Sequence, residues 1–193
     1  ARWPGSGFAF LPKLLFNDCC CSPKRRAQPR TKPSRSMLAT IPATWLTVTT
    51  DLEDDVRREV QALHEFLVGW FTGTLARGDF EAAFLPRFDP AFLLVAPGGT
   101  LLTLADLAAS VRRGYASNPG FRIAIRKVRI RRLFDHHILA TYEEWQRNAL
   151  ASTPPENARI ASVLLRKAEP LQWLHIHETW LPESVASAGP YDF

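Results

Sequence analysis

Cysteine is scarce in this sequence of 193 residues and is confined to one place. Cys19, Cys20 and Cys21 are adjacent, and no other cysteine is present. Residues 22–193 therefore form no disulfide bond and no cysteine-ligated metal site, and they suit a reducing compartment.

Acidic residues are nearly missing from the N-terminal segment. Residues 1–36 contain eight Lys or Arg and only Asp18, a formal charge of +7, which leaves −2 for the remaining residues of a chain whose net charge is +5. The segment is rich in Pro, Arg and Ser and has no sustained periodicity, so residues 1–48 are predicted to be a disordered basic tail, or a targeting or artefactual leader. The predicted location is cytoplasmic, or mitochondrion or plastid if residues 1–36 are a genuine transit peptide.

Long apolar runs are also lacking. The stretch "FAFLPKLLF" is interrupted by Pro12 and Lys13, and it is far shorter than the roughly 18–20 apolar residues that cross a bilayer. No membrane span is predicted. The basic run of residues 122–132 has no interleaved aromatic side chains for base stacking and should be scattered over both faces of a strand, so no nucleic-acid partner is predicted.

Three helices are indicated in the first half of the remaining chain. Apolar residues recur at intervals of three and four over residues 56–75, after a capping box formed by Thr50 and Glu53, with the helix ending near Gly78. A short helix follows Asp79, and a third helix begins at a second capping box, Thr103 with Asp106.

Strand patterns follow from residue 121 to residue 181. In "FRIAIRKVRIRRLF" the alternation slips by one residue near Arg126 and Lys127, which predicts a β-bulge that bends a long strand. Three further strands with short connections predict an antiparallel meander. Helices followed by a bent antiparallel sheet predict an α+β fold in which about three N-terminal helices cover a cone-shaped sheet.

The stretches "GGTLLTLADL", "TYEEWQ" and "LQWLHIHETW", in this order of elements, resemble the nuclear-transport-factor-2-like superfamily. This superfamily includes SnoaL-like cyclases, ketosteroid isomerase and the association domain of calcium/calmodulin-dependent kinase II. The resemblance implies a conical domain over residues 49–183, a C-terminal tail over residues 184–193, and a homodimer formed through the outer sheet face. It also implies a pocket that is an active site in some members and a binding site in others.

The last strand carries two histidines on one face. His175 and His177 are separated by about 6.6–6.8 Å along a strand and could chelate a metal if His64, Glu143 or Glu144 converged on them. Hydrogen-bonded histidines at a pocket wall or subunit interface are the favoured interpretation, so no metal and no cofactor is predicted. The other face of this strand presents Glu178, and the sequence leaves open which face is inward.

Glu143 and Glu144 are adjacent in a strand, so one of them points into the cone and the other points away. The resemblance favours Glu143, and the alternative for this residue is an ion pair with an arginine of the neighbouring strand. A carboxylate that faces an apolar cone is a plausible general base.

Together with the resemblance, these features predict a small-molecule-binding pocket domain of the SnoaL-like type, and they leave open whether it also transfers a proton on a hydrophobic carbonyl compound. The alternative is a non-catalytic ligand-binding or homodimerisation module. The predicted catalytic residues are Glu143, His175, His177 and Glu178, and the predicted ligand-binding residues are His64, Trp70, Tyr115, Tyr142, Trp145 and Trp180.

Overall fold

The computed structural model describes residues 43–193, with side chains described from residue 51 onward. Most of the predicted N-terminal tail, including its cysteines, lies outside the described residues. The elements in chain order are α1 (Ala43–Thr72), α2 (Asp79–Ala83), a 3₁₀ turn (Leu85–Arg87), β1 (Phe88–Val95), β2 (Leu101–Thr103), α3 (Leu104–Arg113), β3 (Arg122–Leu133), β4 (His137–Arg147), β5 (Asn157–Arg166), β6 (Gln172–Trp180) and α4 (Glu183–Ala186). In this part of the chain no helix is both long and apolar enough to cross a membrane.

Helix α1 is longer at its N-terminus and shorter at its C-terminus than the sequence pattern predicts. It begins at Ala43, so the predicted start at Thr50 is wrong. The acidic residues that follow Thr50 lie inside the helix, where Asp54 accepts a 2.7 Å hydrogen bond from Arg57 as helical neighbours three apart do. The helix ends at Thr72 because Gly73 adopts a left-handed φ of +77°.

Helix α3 starts at the predicted capping box. The backbone N–H of Thr103 donates to Oδ2 of Asp106 over 3.0 Å, and the N–H of Asp106 donates back to Oγ1 of Thr103 over 3.3 Å. The Thr103 hydroxyl also donates to Oδ2 of Asp106 over 2.6 Å, and this bond and the one from the Thr103 backbone N–H lower the pKa of Asp106.

The sheet has six strands in the order β2-β1-β6-β5-β4-β3, is curved and does not close. The predicted antiparallel meander is confirmed for β3 to β6. The sheet as a whole is mixed, because β1 pairs with β6 in parallel while it pairs with β2 antiparallel. The predicted α+β class, with three helices before the meander, is confirmed.

Strand β3 contains the predicted bulge. Arg126 is paired with Glu143 and Arg129 with Thr141, so one extra residue lies between the two pairs, and Lys127 adopts a φ of +53°. A second irregularity separates Ile130 from Arg132.

These two shifts correct in part the expectation that the basic run is scattered over both faces, although Arg129 also lies 3.2 Å from Glu53 of α1. Arg126, Arg129 and Arg132 each pair with an odd-numbered residue of β4 and therefore share one face of the sheet.

Helix α1 covers one face of the sheet, which we call the inner face; the opposite face is the outer face. Tyr142 of β4 contacts His64 of α1, and the indole N–H of Trp173 of β6 donates to Glu59 over 2.8 Å. The interior is filled largely by aromatic and β-branched side chains, among them Val56, Val60, Phe66, Trp70, Phe80, Phe84, Phe88 and Phe92.

The residues that follow α4 lie against the outer face. The Tyr191 ring lies 5.6 Å from that of Trp145, and Arg147 donates to the carbonyl oxygen of Phe193 over 3.1 Å. The domain limits at residues 48 and 183 stay predictions.

Candidate functional site

Strand register decides which polar residues face α1. Tyr142 pairs with Ala161, which pairs with Glu178, and Glu144 pairs with Arg159. Directly paired residues share a face, so Tyr142, Glu144, Arg159 and Glu178 all lie on the inner face. We call these four residues and His64 the inner cluster.

Glu144 is the most heavily contacted carboxylate of the inner cluster. Gln146 donates to its Oε1 over 2.6 Å, His64 Nε2 lies 3.4 Å from its Oε2, and Arg159 Nε lies 3.9 Å from the same oxygen. Burial alone would raise the pKa of Glu144, but Arg159, His64 and Gln146 outweigh burial and lower it to about 2. Glu144 is therefore an anion at neutral pH.

His64 links α1 to this carboxylate. Its Nδ1 lies 2.7 Å from the carbonyl oxygen of Val60, and since a carbonyl only accepts, Nδ1 carries a proton. Its Nε2 faces Glu144 and lies 3.5 Å from the hydroxyl of Tyr142. Burial and the nearby charges of Glu144 and Glu178 raise the pKa of Tyr142 well above its usual value, so the phenol is neutral.

Glu178 shares Arg159 with Glu144, but the pKa values of the two carboxyls shift in opposite directions. Arg159 Nη1 donates to Glu178 Oε2 over 3.0 Å, and the guanidinium lies 5.1 Å from the centre of the Trp180 ring. Burial, which exceeds the opposing effect of Arg159, and the charge of Glu144 raise the pKa of Glu178. Two carboxylates whose surroundings separate their pKa values are the arrangement from which an acid–base pair is built.

Arg159 has one N–H donor without an acceptor in the described part of the chain. Its Nε is buried and makes no hydrogen bond to any residue in the described part of the chain. A buried donor without a partner is costly in a folded protein. It belongs to a guanidinium that lies between Glu144 and Glu178, where a free N–H can donate to an oxygen atom of a bound molecule.

Arg159 is the functional candidate that sequence reasoning missed. The signal was present in "ARIASVLLR", where Arg159 shares its alternating face with Ala161, Val163 and Leu165, all of which are buried. An arginine on the apolar side of a strand is a buried cation that requires anionic partners.

Glu143 lies on the outer face. Lys127 Nζ lies 2.8 Å from its Oε1, and the indole N–H of Trp145 donates to its Oε2 over 3.2 Å. Glu143 is thus in an ion pair with the neighbouring strand, with a lysine rather than an arginine as the cation. The predicted catalytic role of Glu143 and the ligand-binding role of Trp145 stay predictions.

His175 and His177 also lie on the outer face. They pair with Leu164 and Ser162 of β5, and their ring centres are 6.5 Å apart. The structure therefore separates them from Glu178 and His64 by the thickness of the sheet. Among residues 43–193 no group of three or more His, Cys, Asp or Glu converges as a metal site would require.

The other predicted ligand-binding residues are divided between two places. His64, Tyr142 and Trp180 contact members of the inner cluster. Trp70 donates to the carbonyl of Val111 over 2.7 Å, which joins α1 to α3. Tyr115, just after α3, donates to that of Leu75 over 2.9 Å, which joins this segment to the loop after α1.

Two open clefts border α1. A cleft of about 390 Å³ lies between α1 and β3, and its wall includes His64 together with Val68, Ile123 and Ile125. A cleft of about 580 Å³ lies beside the β5–β6 turn and is lined by charged residues that include Arg58, Arg87 and Lys167. The first cleft is the one that touches the inner cluster.

Comparison with solved structures identifies the fold. An NTF-2-like protein of unknown function from Pseudomonas aeruginosa is 25% identical over 66% of this chain and 99% of its own, with a TM-score of 0.60. A proposed dehydratase of the NTF2-like family from Streptomyces avermitilis is 18% identical over 69% of this chain and 97% of its own, with a TM-score of 0.53. The association domain of CaMKII from C. elegans is 14% identical over 68% of this chain and 98% of its own, also with a TM-score of 0.53.

The chain therefore has the nuclear-transport-factor-2-like fold, as the sequence resemblance predicted. No protein-family model matches the chain, and no curated protein matches it either.

Proposed function

We propose that this protein binds a small hydrophobic carbonyl compound in the manner of SnoaL-like domains and transfers a proton on it, with Glu178 as the general base. The observation that supports this proposal is the buried Nε–H of Arg159, which lacks a partner in the described residues and belongs to the same guanidinium that contacts Glu178.

The proposed reaction requires a base and an oxyanion donor. Glu178 would take a proton from the carbon next to the carbonyl, the C–H electron pair would form a C=C bond, and the carbonyl oxygen would become an enolate. A carboxylate with a raised pKa is a better base near neutral pH than one held at about 2, which favours Glu178 over Glu144. Returning the proton from Glu178 to another carbon would complete an isomerisation.

The remaining members of the inner cluster would stabilise the enolate. Arg159 Nε–H is a fixed donor in a site shielded from water, where such donors are most effective. The anionic Glu144 would keep the guanidinium in place, and the neutral phenol of Tyr142 offers a second donor. The cleft beside His64 is the proposed approach for the ligand.

Exchange of carbon-bound protons tests this function. The protein would be incubated in D₂O with a panel of alkyl-substituted cyclohexanones and cyclohexenones, and the loss of the proton next to the carbonyl would be followed by NMR. We expect exchange with at least one member of the panel, and about 10²–10⁴-fold slower exchange for Glu178→Gln, the usual contribution of a general base.

Glu143→Gln is the matched control, because Glu143 lies on the other face of the same sheet. It should exchange as fast as the unsubstituted protein. Equal rates for Glu178→Gln and the unsubstituted protein, or no exchange with any compound, would refute the proposal.

The second candidate function is homodimerisation through the outer face. Leu93 of β1 and Ile160 of β5 lie on the outer face and are 38% and 37% exposed, and exposed large apolar side chains on a sheet face favour a partner. A kinase association domain of the same fold provides a precedent for an association role. The molar mass in solution, measured by light scattering, distinguishes a dimer from a monomer.

A further inference from the structure

Two adjacent large apolar residues are exposed where β3 ends and the turn to β4 begins. Leu133 and Phe134 are 43% and 51% exposed. They are adjacent in sequence, whereas the other exposed large apolar residues in the described part of the chain are separated from one another along the sequence. The hairpin closes with the N–H of Phe134 donating to the carbonyl of His137 over 2.9 Å, so this pair is at the tip of a defined turn.

Three cationic residues lie beside this pair, two in β3 and one in the neighbouring turn. Arg131 and Arg132 directly precede the pair and are exposed. Arg131 donates to the hydroxyl of Thr141, and Arg132 donates to the carbonyl oxygen of Arg131. Neither arginine takes part in an ion pair within residues 51–193. Lys167 of the adjacent β5–β6 turn donates to the carbonyl oxygen of Phe134 over 2.6 Å, which adds a third cation. The acidic side chains in these two turns are Asp135 and Glu169.

The second irregularity in β3 helps to produce this arrangement. Ile130 pairs with Ala140 and Arg132 pairs with Leu139, so the extra residue Arg131 is bulged next to Arg132. Strict alternation would have placed these two arginines on opposite faces.

We propose that this hairpin tip docks the protein on an anionic lipid surface, with Leu133 and Phe134 entering the interfacial region and Arg131, Arg132 and Lys167 contacting the headgroups. Binding at a membrane surface grows with the buried apolar area and with attraction between basic residues and anionic lipids, and the tip offers both. Nucleic acid fits less well, because a single exposed ring provides little stacking and a leucine provides no hydrogen bond to a base.

Vesicle co-sedimentation tests the proposal. The full chain would be mixed with vesicles of phosphatidylcholine and phosphatidylserine in a ratio of about two to one, and with vesicles of phosphatidylcholine alone. We expect binding to the mixed vesicles that weakens as salt is added, and much weaker binding to the neutral ones.

Substitutions at the tip test the apolar and the electrostatic contributions to vesicle binding separately. Leu133→Ser with Phe134→Ser should lower the affinity for mixed vesicles at least about tenfold, and Arg132→Gln should lower it about fivefold. The matched controls are Leu101→Ser with Leu150→Ser, which also removes two exposed large apolar side chains, and Arg113→Gln on α3. Both should bind like the unsubstituted protein. An unchanged thermal transition would show that each variant is folded.

Three results would overturn the proposal. They are no binding to the mixed vesicles, equal loss in the tip variants and their controls, and a change of molar mass in Leu133→Ser with Phe134→Ser, which would make the tip a contact between copies of the chain. The proposal is independent of proton transfer, so loss of vesicle binding in the tip variants should leave deuterium exchange in solution unchanged.

Discussion

At the scale of single residues, the distinctive feature of this protein is a cation shared by two buried carboxylates. Arg159 contacts Glu178 directly and lies near Glu144, and His64 adds a second nitrogen beside Glu144. Removing charged groups from water costs several kcal/mol per ion unless partners compensate. Burying this cluster on the inner face costs free energy that apolar side chains in the same positions would not. A function of the cluster would account for its presence there.

The depressed pKa of Glu144 predicts acid sensitivity. Its folded-state pKa of about 2 lies below the ordinary value of 4.5, so its contribution to stability is fully present above pH 4.5 and is lost as the pH falls toward 2. The raised pKa of Glu178 has the opposite effect on stability. Folding strengthens proton binding at this carboxyl, so its contribution to stability increases as the pH falls. Glu144→Gln should therefore lower the free energy of unfolding at pH 7 by on the order of 3 kcal/mol, with the difference from the unsubstituted protein shrinking in acid.

Urea unfolding followed by circular dichroism at several pH values measures this effect. Glu143→Gln is again the control, because its ion-pair partner Lys127 is largely exposed and exposed pairs contribute only about 0–1 kcal/mol. If Glu144→Gln proved as stable as the unsubstituted protein at pH 7, the cluster would not hold Glu144 as described.

The site could be predicted from the sequence only in part. The alternation rule correctly required one of Glu143 and Glu144 to face inward, but the rule cannot say which one. The choice depends on which face α1 covers, and that is a tertiary contact, made here through His64 and Tyr142. Likewise, the sequence placed His175 and His177 together on one face but could not show that Glu178 was the residue on the inner side.

At the scale of elements, local sequence patterns correctly predicted the features whose geometry depends on residues close in sequence. The capping box at Thr103 and the bulge near Arg126 are both present, because each arises from residues close in sequence. The same signal failed at Thr50. There the helix continues to Ala43. Acidic residues after Thr50 form ion pairs with arginines three positions further along the helix, and the same acidic pattern is typical of a helix start.

The cap of α3 can be tested by one substitution. Thr103→Ala removes the side-chain oxygen that accepts from the N–H of Asp106, and loss of such a cap typically costs about 1 kcal/mol. The midpoint of urea unfolding should fall accordingly. Thr100→Ala, in the exposed turn before β2, should leave the midpoint unchanged; an equal fall for both would show that the cap contributes nothing of its own.

At the scale of the whole molecule, the parallel pairing of β1 with β6 organises the two faces. This pairing places Leu93 beside His175 and Val95 beside His177 on the outer face, and it joins the first strand within residues 43–193 to the last. Sequence patterns predicted an antiparallel meander but contain no information on which edge of it β1 would join, because that contact links residues more than 80 positions apart. The outer face thus acquires an apolar and histidine-bearing surface across β1, β6 and β5.

We expect this surface to form the interface of a dimer, and we expect an introduced negative charge to disrupt that interface. Leu93→Asp with Ile160→Asp would place four carboxylates in the interface of two copies related by a twofold axis, where buried and unpaired charges are strongly unfavourable. Light scattering should give the mass of a dimer for the unsubstituted protein and of a monomer for this variant. Leu150→Asp, which adds a charge at a more exposed loop position, should stay dimeric. A monomeric unsubstituted protein would exclude the association role and leave the inner cluster as the remaining basis for function.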